Sequence, residues 1–139
     1  MNIDTNVFWE IIIGITTGVY AGFIVSRMAR FSALTGEALR LVRGIDFIYG
    51  DVAQEAVTLL KIEEALAQFT LISSDFYSRG HRKAGDNLNI IGQEFGEVTA
   101  TRPLTKEFMS RYVDWQRRVR THPANLWAIF KPWLRIGEL

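Results

Sequence analysis

Side chains able to do acid–base, nucleophilic or metal chemistry are few in this 139-residue chain. Cysteine is absent, which removes thiolate nucleophiles, thiolate metal sites and any disulfide framework. The two histidines, His81 and His122, have no acidic or histidine neighbour at ligand spacing and are expected to be surface loop residues. Adjacent Glu63 and Glu64 would point about 100° apart on a helix, and Glu94 and Glu97 are read as solvated. No GxxxxGK[ST] or GxGxxG phosphate loop, HExxH pair, GxSxG elbow or EF-hand loop is present. These exclusions point to a non-enzyme with no metal and no cofactor.

One cluster of charge stands out as a candidate anion site. The segment Arg79-Gly80-His81-Arg82-Lys83-Ala84-Gly85 sets Arg79, Arg82 and Lys83 around two glycines. Basic side chains beside free backbone amides can hold a phosphate, an anionic headgroup or a nucleotide; a solvated turn is the plainer reading. Arg117, Arg118 and Arg120 form a second basic patch. Nucleic acid is not expected as a partner, because the net charge is only +1 and Trp115 falls on a core-like helical position.

The strongest pattern is apolar. Phe8 to Val25 carries a single charge, Glu10, and at about 1.5 Å per residue spans roughly 27 Å, close to a bilayer's hydrocarbon thickness. Trp9 at one end and Arg27 and Arg30 at the other are placed as interface anchors. A cleaved signal peptide would carry its basic residues before the apolar run, whereas here they all follow it. Arg27, Arg30, Arg40 and Arg43 against Glu37 put the positive side after the span. By the positive-inside rule the N-terminus then faces outward and the remainder lies in the cytoplasm. Within the span, Gly14, Gly18 and Gly22 form a ridge without side chains, bordered by Thr17 and Ala21. Such a ridge lets a second helix backbone approach closely. Glu10 lies on the same ridge, and the deep Tyr20 hydroxyl is expected to reach a carbonyl or threonine across a helix interface.

Helical periodicity dominates the rest, with no internal repeat and no sustained strand alternation. A helix is expected to continue from Ser26 to about Ile48 on Leu34, Ala38, Leu41 and Ile45. Others are expected from Asp51 to about Tyr77, Asp86 to about Val98 and Thr105 to about Val119. Glu107–Arg111 and Asp114–Arg118 are spaced as ion pairs on the last of these. The C-terminal aromatics Trp127, Phe130 and Trp133 are read as completing the core, with a second membrane contact as the other reading.

The expected architecture is therefore all-α: a single transmembrane helix followed by a small cytoplasmic helical bundle. Its parts are an outward N-terminus and span over 1–30, a juxtamembrane helix over 31–50 and the bundle over 51–139. The expected role is a single-pass scaffold, anchoring or accessory subunit of the cell inner (plasma) membrane. It would assemble through the glycine ridge with itself or with other membrane subunits, contact membrane lipid, and dock a partner, or an anionic ligand, through the bundle. A ligand-gated oligomeric pore is the alternative, and it would want a polar stripe along the span.

Overall fold

The computed structural model describes residues 5–45, 47–49, 57–59, 61–100 and 106–131. Among the described residues the chain is all-α apart from one short ribbon. Helix α1 runs Thr5–Arg43, the ribbon pairs β1 Phe47–Tyr49 with β2 Val57–Leu59, and α2 Ile62–Ser78, α3 Arg82–Ala100, α4 Lys106–Thr121 and α5 Leu126–Phe130 follow. The described residues group into two compact units, one within 31–125 and one of residues 5–30 with 126–131.

The larger unit is the bundle. The last part of α1 contributes Leu34, Ala38 and Val42 to its core, at the spacing of one helix face. Phe69, Ile72 and Phe76 of α2, Leu88, Ile91 and Phe95 of α3, and Phe108, Trp115 and Val119 of α4 complete it. Phe69, Phe95, Trp115 and Phe108 form a chain of ring contacts, with successive centroids 5.8, 5.9 and 6.0 Å apart. Offset and edge-on packing of this kind adds about 0.5–1.5 kcal/mol per pair beyond area burial.

Glycine sets the turn from α2 to α3. Gly80 adopts φ 79°, the His81 amide donates to Phe76 O at 2.9 Å and the Gly80 amide to Tyr77 O at 2.9 Å. Together these bonds make a Schellman C-cap, which needs a residue without Cβ at the left-handed position. The two helices then pack closely because Gly85 lies under the Tyr77 ring and Gly92 against Phe69. The Ser73 hydroxyl adds a buried bond to Gly85 O at 2.9 Å. Between α3 and α4, Glu94 accepts from Trp115 Nε1 at 2.7 Å and from Arg118 Nη1 at 2.8 Å. Arg118 also pairs with Asp114 at 2.6 Å, the i,i+4 pair expected from the sequence. The Glu107 side chain of the other expected pair lies outside the described residues.

Several local expectations are corrected. The juxtamembrane helix placed over 31–50 stops at Arg43, where the Gly44 amide closes on Arg40 O at 2.8 Å. The helix expected from Asp51 starts instead at Ile62. Between them Phe47 pairs with Leu59 and Tyr49 with Val57 in an antiparallel ribbon. The aromatic and β-branched residues Phe47, Ile48, Tyr49, Val57 and Thr58 suit strands, and this short-range preference outweighs the helical spacing of Leu59 with Leu66. The proposed cap Asp51 lies outside the described residues. His81 and His122 are buried, not surface loop residues. The Phe31 ring lies 4.5 Å from His81 and 5.8 Å from His122, and Thr35 Oγ1 is 3.3 Å from His122 Nε2. Burial pushes the His122 imidazole below its usual pKa. Residues 126–131, assigned to the bundle over 51–139, group with the described residues of 5–30.

Candidate functional site

Among the described residues, one helix is long and apolar enough to cross a membrane, and it is α1. Its first part is apolar on every side and exposed, as expected of a surface that lipid, not water, would cover. Trp9 and Arg30 are exposed, and Trp9 packs edge-on against Phe8 at 6.2 Å.

A ridge of small residues is open along this helix. A Cβ built on Gly14, Gly18 or Gly22 meets nothing within 4 Å, and Thr17 and Ala21 beside them are exposed. No other part of the described chain fills that face. The hydroxyl of Thr16 does not add to it, since it donates within the helix to Ile12 O at 2.8 Å.

Two polar side chains lie on the opposite face. At 100° per residue Arg27 falls about 180° round the helix from Gly18, and Tyr20 about 200°. Both reach α5. Tyr20 Oη donates to Phe130 O at 2.8 Å, which meets the expectation of a carbonyl partner for that hydroxyl. Arg27 Nη1 donates to Ala128 O, and to Lys131 O at 2.9 Å. Its guanidinium also lies over the Phe23 ring, 4.1 Å from the centroid. Arg27, singled out as an interface anchor, thus also caps the end of a helix a hundred residues away. No local signal in the sequence marks that role, because it depends on two segments meeting only in the fold.

α5 itself is wholly apolar. Ala128 and Ile129 are buried, while Leu126, Trp127 and Phe130 stay exposed, at 63%, 68% and 45%. The core reading of Trp127 and Phe130 is therefore replaced by an exposed apolar arc, and Trp133 lies outside the described residues. Lys131 Nζ lies 4.6 Å from the centroid of the Trp127 ring.

In the basic loop, Arg82 and Lys83 are exposed and Arg79 is half-buried, with its Nε buried and without a hydrogen-bond partner. The amides of Gly80 and His81 serve the Schellman cap, and those of Ala84 and Gly85 donate to His81 O at 3.0 and 3.1 Å. Asn125 Nδ2 occupies Gly80 O at 2.8 Å. The two glycines thus serve the turn and the helix packing, and what the loop offers an anion is side-chain charge.

Among the described residues no cluster of three or more His, Asp or Glu side chains could hold a metal ion. Comparison of the chain with protein-family models, with curated proteins and with solved structures yields no match.

Proposed function

We propose that this protein is a non-enzymatic, single-pass membrane anchor or scaffold subunit that assembles through the glycine face of α1. The observation that carries this reading is the open ridge at Gly14, Gly18 and Gly22 on α1, the one candidate membrane-spanning helix among the described residues. Lipid tails are as apolar as leucine, so helices in a bilayer associate by close packing and not by hydrophobic exclusion. A face without side chains is the surface that close packing uses. The N-terminus is placed outside and residues 31–125 in the cytoplasm of a cell with an inner (plasma) membrane, from the excess of arginine after the span. The bundle then presents Arg82 and Lys83, with Arg79 beside them, to a docking partner or an anionic ligand. A pore is less well supported: it needs a polar stripe, and the Thr16 and Tyr20 hydroxyls are already donated within the chain.

Crosslinking of the full chain in membranes tests the reading. Gly18→Leu should abolish oligomer formation, while Val19→Leu, about 100° away, should leave it intact. Equal crosslinking in both would remove the ridge as an interface. Dye leakage from vesicles bearing the protein would favour the pore instead.

A further inference from the structure

We propose that α5 is a second membrane contact, a short interfacial helix laid against the lipid-facing part of α1 with Leu126, Trp127 and Phe130 in the headgroup–acyl boundary. The inference rests on the reading that α1 spans a membrane, and adds to it how the far end of the chain returns to the same bilayer.

Depth is the first argument. Tyr20 lies five residues, about 7.5 Å, inside the Val25 end of the apolar run, and Arg27 lies two residues beyond that end. The bonds from these two side chains to Phe130, Ala128 and Lys131 fix α5 at the levels between them. That depth matches the roughly 5–10 Å at which interfacial helices sit.

Backbone satisfaction is the second. A helix end leaves its last carbonyls without intrahelical donors, and water normally supplies them. In lipid an unsatisfied backbone group costs several kcal/mol, so the donor must come from protein. Here Trp127 O accepts from the Lys131 amide at 3.0 Å, and Ala128, Phe130 and Lys131 O accept from α1 side chains. An arginine and a tyrosine drawn from a hundred residues away do the work that water would do at an aqueous helix end.

Surface chemistry is the third. On a helical projection Leu126, Phe130 and Trp127 fall within an arc of about 100°, and Ala128 and Ile129 fall outside it. The exposed arc is wholly apolar and carries an indole, the side chain that favours the interface. Arg27 and Lys131 lie at its edge, where cations reach anionic headgroups.

Because the chain has no cysteine, a single introduced one can carry a spin label. The full chain is reconstituted in vesicles of phosphatidylcholine with phosphatidylglycerol. Labels are placed singly through Leu126→Cys, Trp127→Cys, Val19→Cys and Val113→Cys, and collision with oxygen is compared with collision with a water-soluble nickel complex. Oxygen should dominate at 126 and 127, at a shallower depth than at 19, and nickel should dominate at 113. Adding Tyr20→Phe and Arg27→Gln should move the 126 label toward water while the label at 19 stays deep. Nickel-dominated collision at 126 and 127 with a deep label at 19 would overturn this inference and leave the span intact. A label at 19 in water would overturn both. Shielding of 126 and 127 from both reagents would mean that protein covers α5, and would also overturn it.

Discussion

Two sets of glycines face opposite circumstances in this molecule. On α3, Gly85, Gly92 and Gly96 are each met by a side chain of α2: a Cβ would lie 3.0 Å from the Tyr77 ring, 3.0 Å from Phe69 Cβ and 3.6 Å from Leu66. On α1, Gly14, Gly18 and Gly22 are met by nothing. The α3 glycines are therefore explained by packing inside the bundle. Those of α1 have no such explanation within the described chain, and the proposal that they pack a second helix in a bilayer starts from that difference.

The largest break in the comparison comes from enlarging both faces. Phe69 Cβ is fixed by its backbone, so it cannot rotate away from a side chain at position 92; α2 and α3 would have to part. Gly92→Leu should destabilise the bundle by about 3 kcal/mol or more. Thermal melting of the full chain in detergent, read by the near-ultraviolet signal of the buried Trp115, should show a marked fall in Tm. Gly18→Leu, with open space around it, should melt no lower than the wild type. If the two variants melted alike, the distinction between a filled and an open glycine face would be lost.

A second test concerns the polar seam between α3 and α4. Trp115 is fully buried and its indole N–H has Glu94 as acceptor. Glu94→Ala would leave that donor in the core without a partner, which costs about 1–3 kcal/mol. Glu94→Gln keeps an acceptor oxygen for the indole but turns an NH2 toward Arg118, losing the half-exposed ion pair and its hydrogen bond, so its Tm should fall by less than that of Glu94→Ala. Equal losses would mean that the ion pair, not the buried indole, sets the energetics.

Acidification tests the burial of His122. Its imidazole is held below the usual pKa by desolvation, so the unfolded chain binds the proton more readily than the folded one. The stabilisation is fully present above the ordinary histidine pKa and is lost as pH falls from there through the lower folded value. One proton limits the slope to about 1.4 kcal/mol per pH unit. His122→Phe, which keeps a ring beside Phe31 and Phe76, should reduce the loss of stability between about pH 7 and 5. An unchanged slope in urea unfolding would show that the charge on His122 is not what acid acts upon.

How much of this was legible beforehand depends on the range of the signal. Leu34 and Ala38 on α1 and Phe108, Trp115 and Val119 on α4 lie on stripes that the helical period reveals, and all are buried. Leu59 lies on a similar stripe yet sits in a strand beside Val57 and Thr58, because apolar spacing over so short a run does not distinguish helix from strand. The burial of His81 and His122 was illegible, since it is made by Phe31 and Phe76 from other helices. In the candidate site, the need of Tyr20 for a carbonyl followed from its place in an apolar run. That the carbonyl belongs to Phe130, and that Arg27 caps the same segment, depends on a meeting of distant residues that no local pattern encodes.

The smallest expected effect is the sharpest about sign. Gly36 lies on α1 at an exposed position, and a Cβ there meets nothing within 4 Å. Gly36→Ala therefore adds no clash and removes backbone freedom from the unfolded chain, which stabilises a helix by about 0.5–1 kcal/mol. Gly92→Ala carries the same entropic gain, but its methyl would sit 3.0 Å from Phe69 Cβ, tight enough that α2 and α3 must give way. The two substitutions are chemically identical, so any difference between them in Tm measures the packing term alone. Gly36→Ala should raise Tm and Gly92→Ala should not. A rise of equal size in both would mean that α2 yields readily to the added methyl, and the α3 glycines would then need another explanation than close approach.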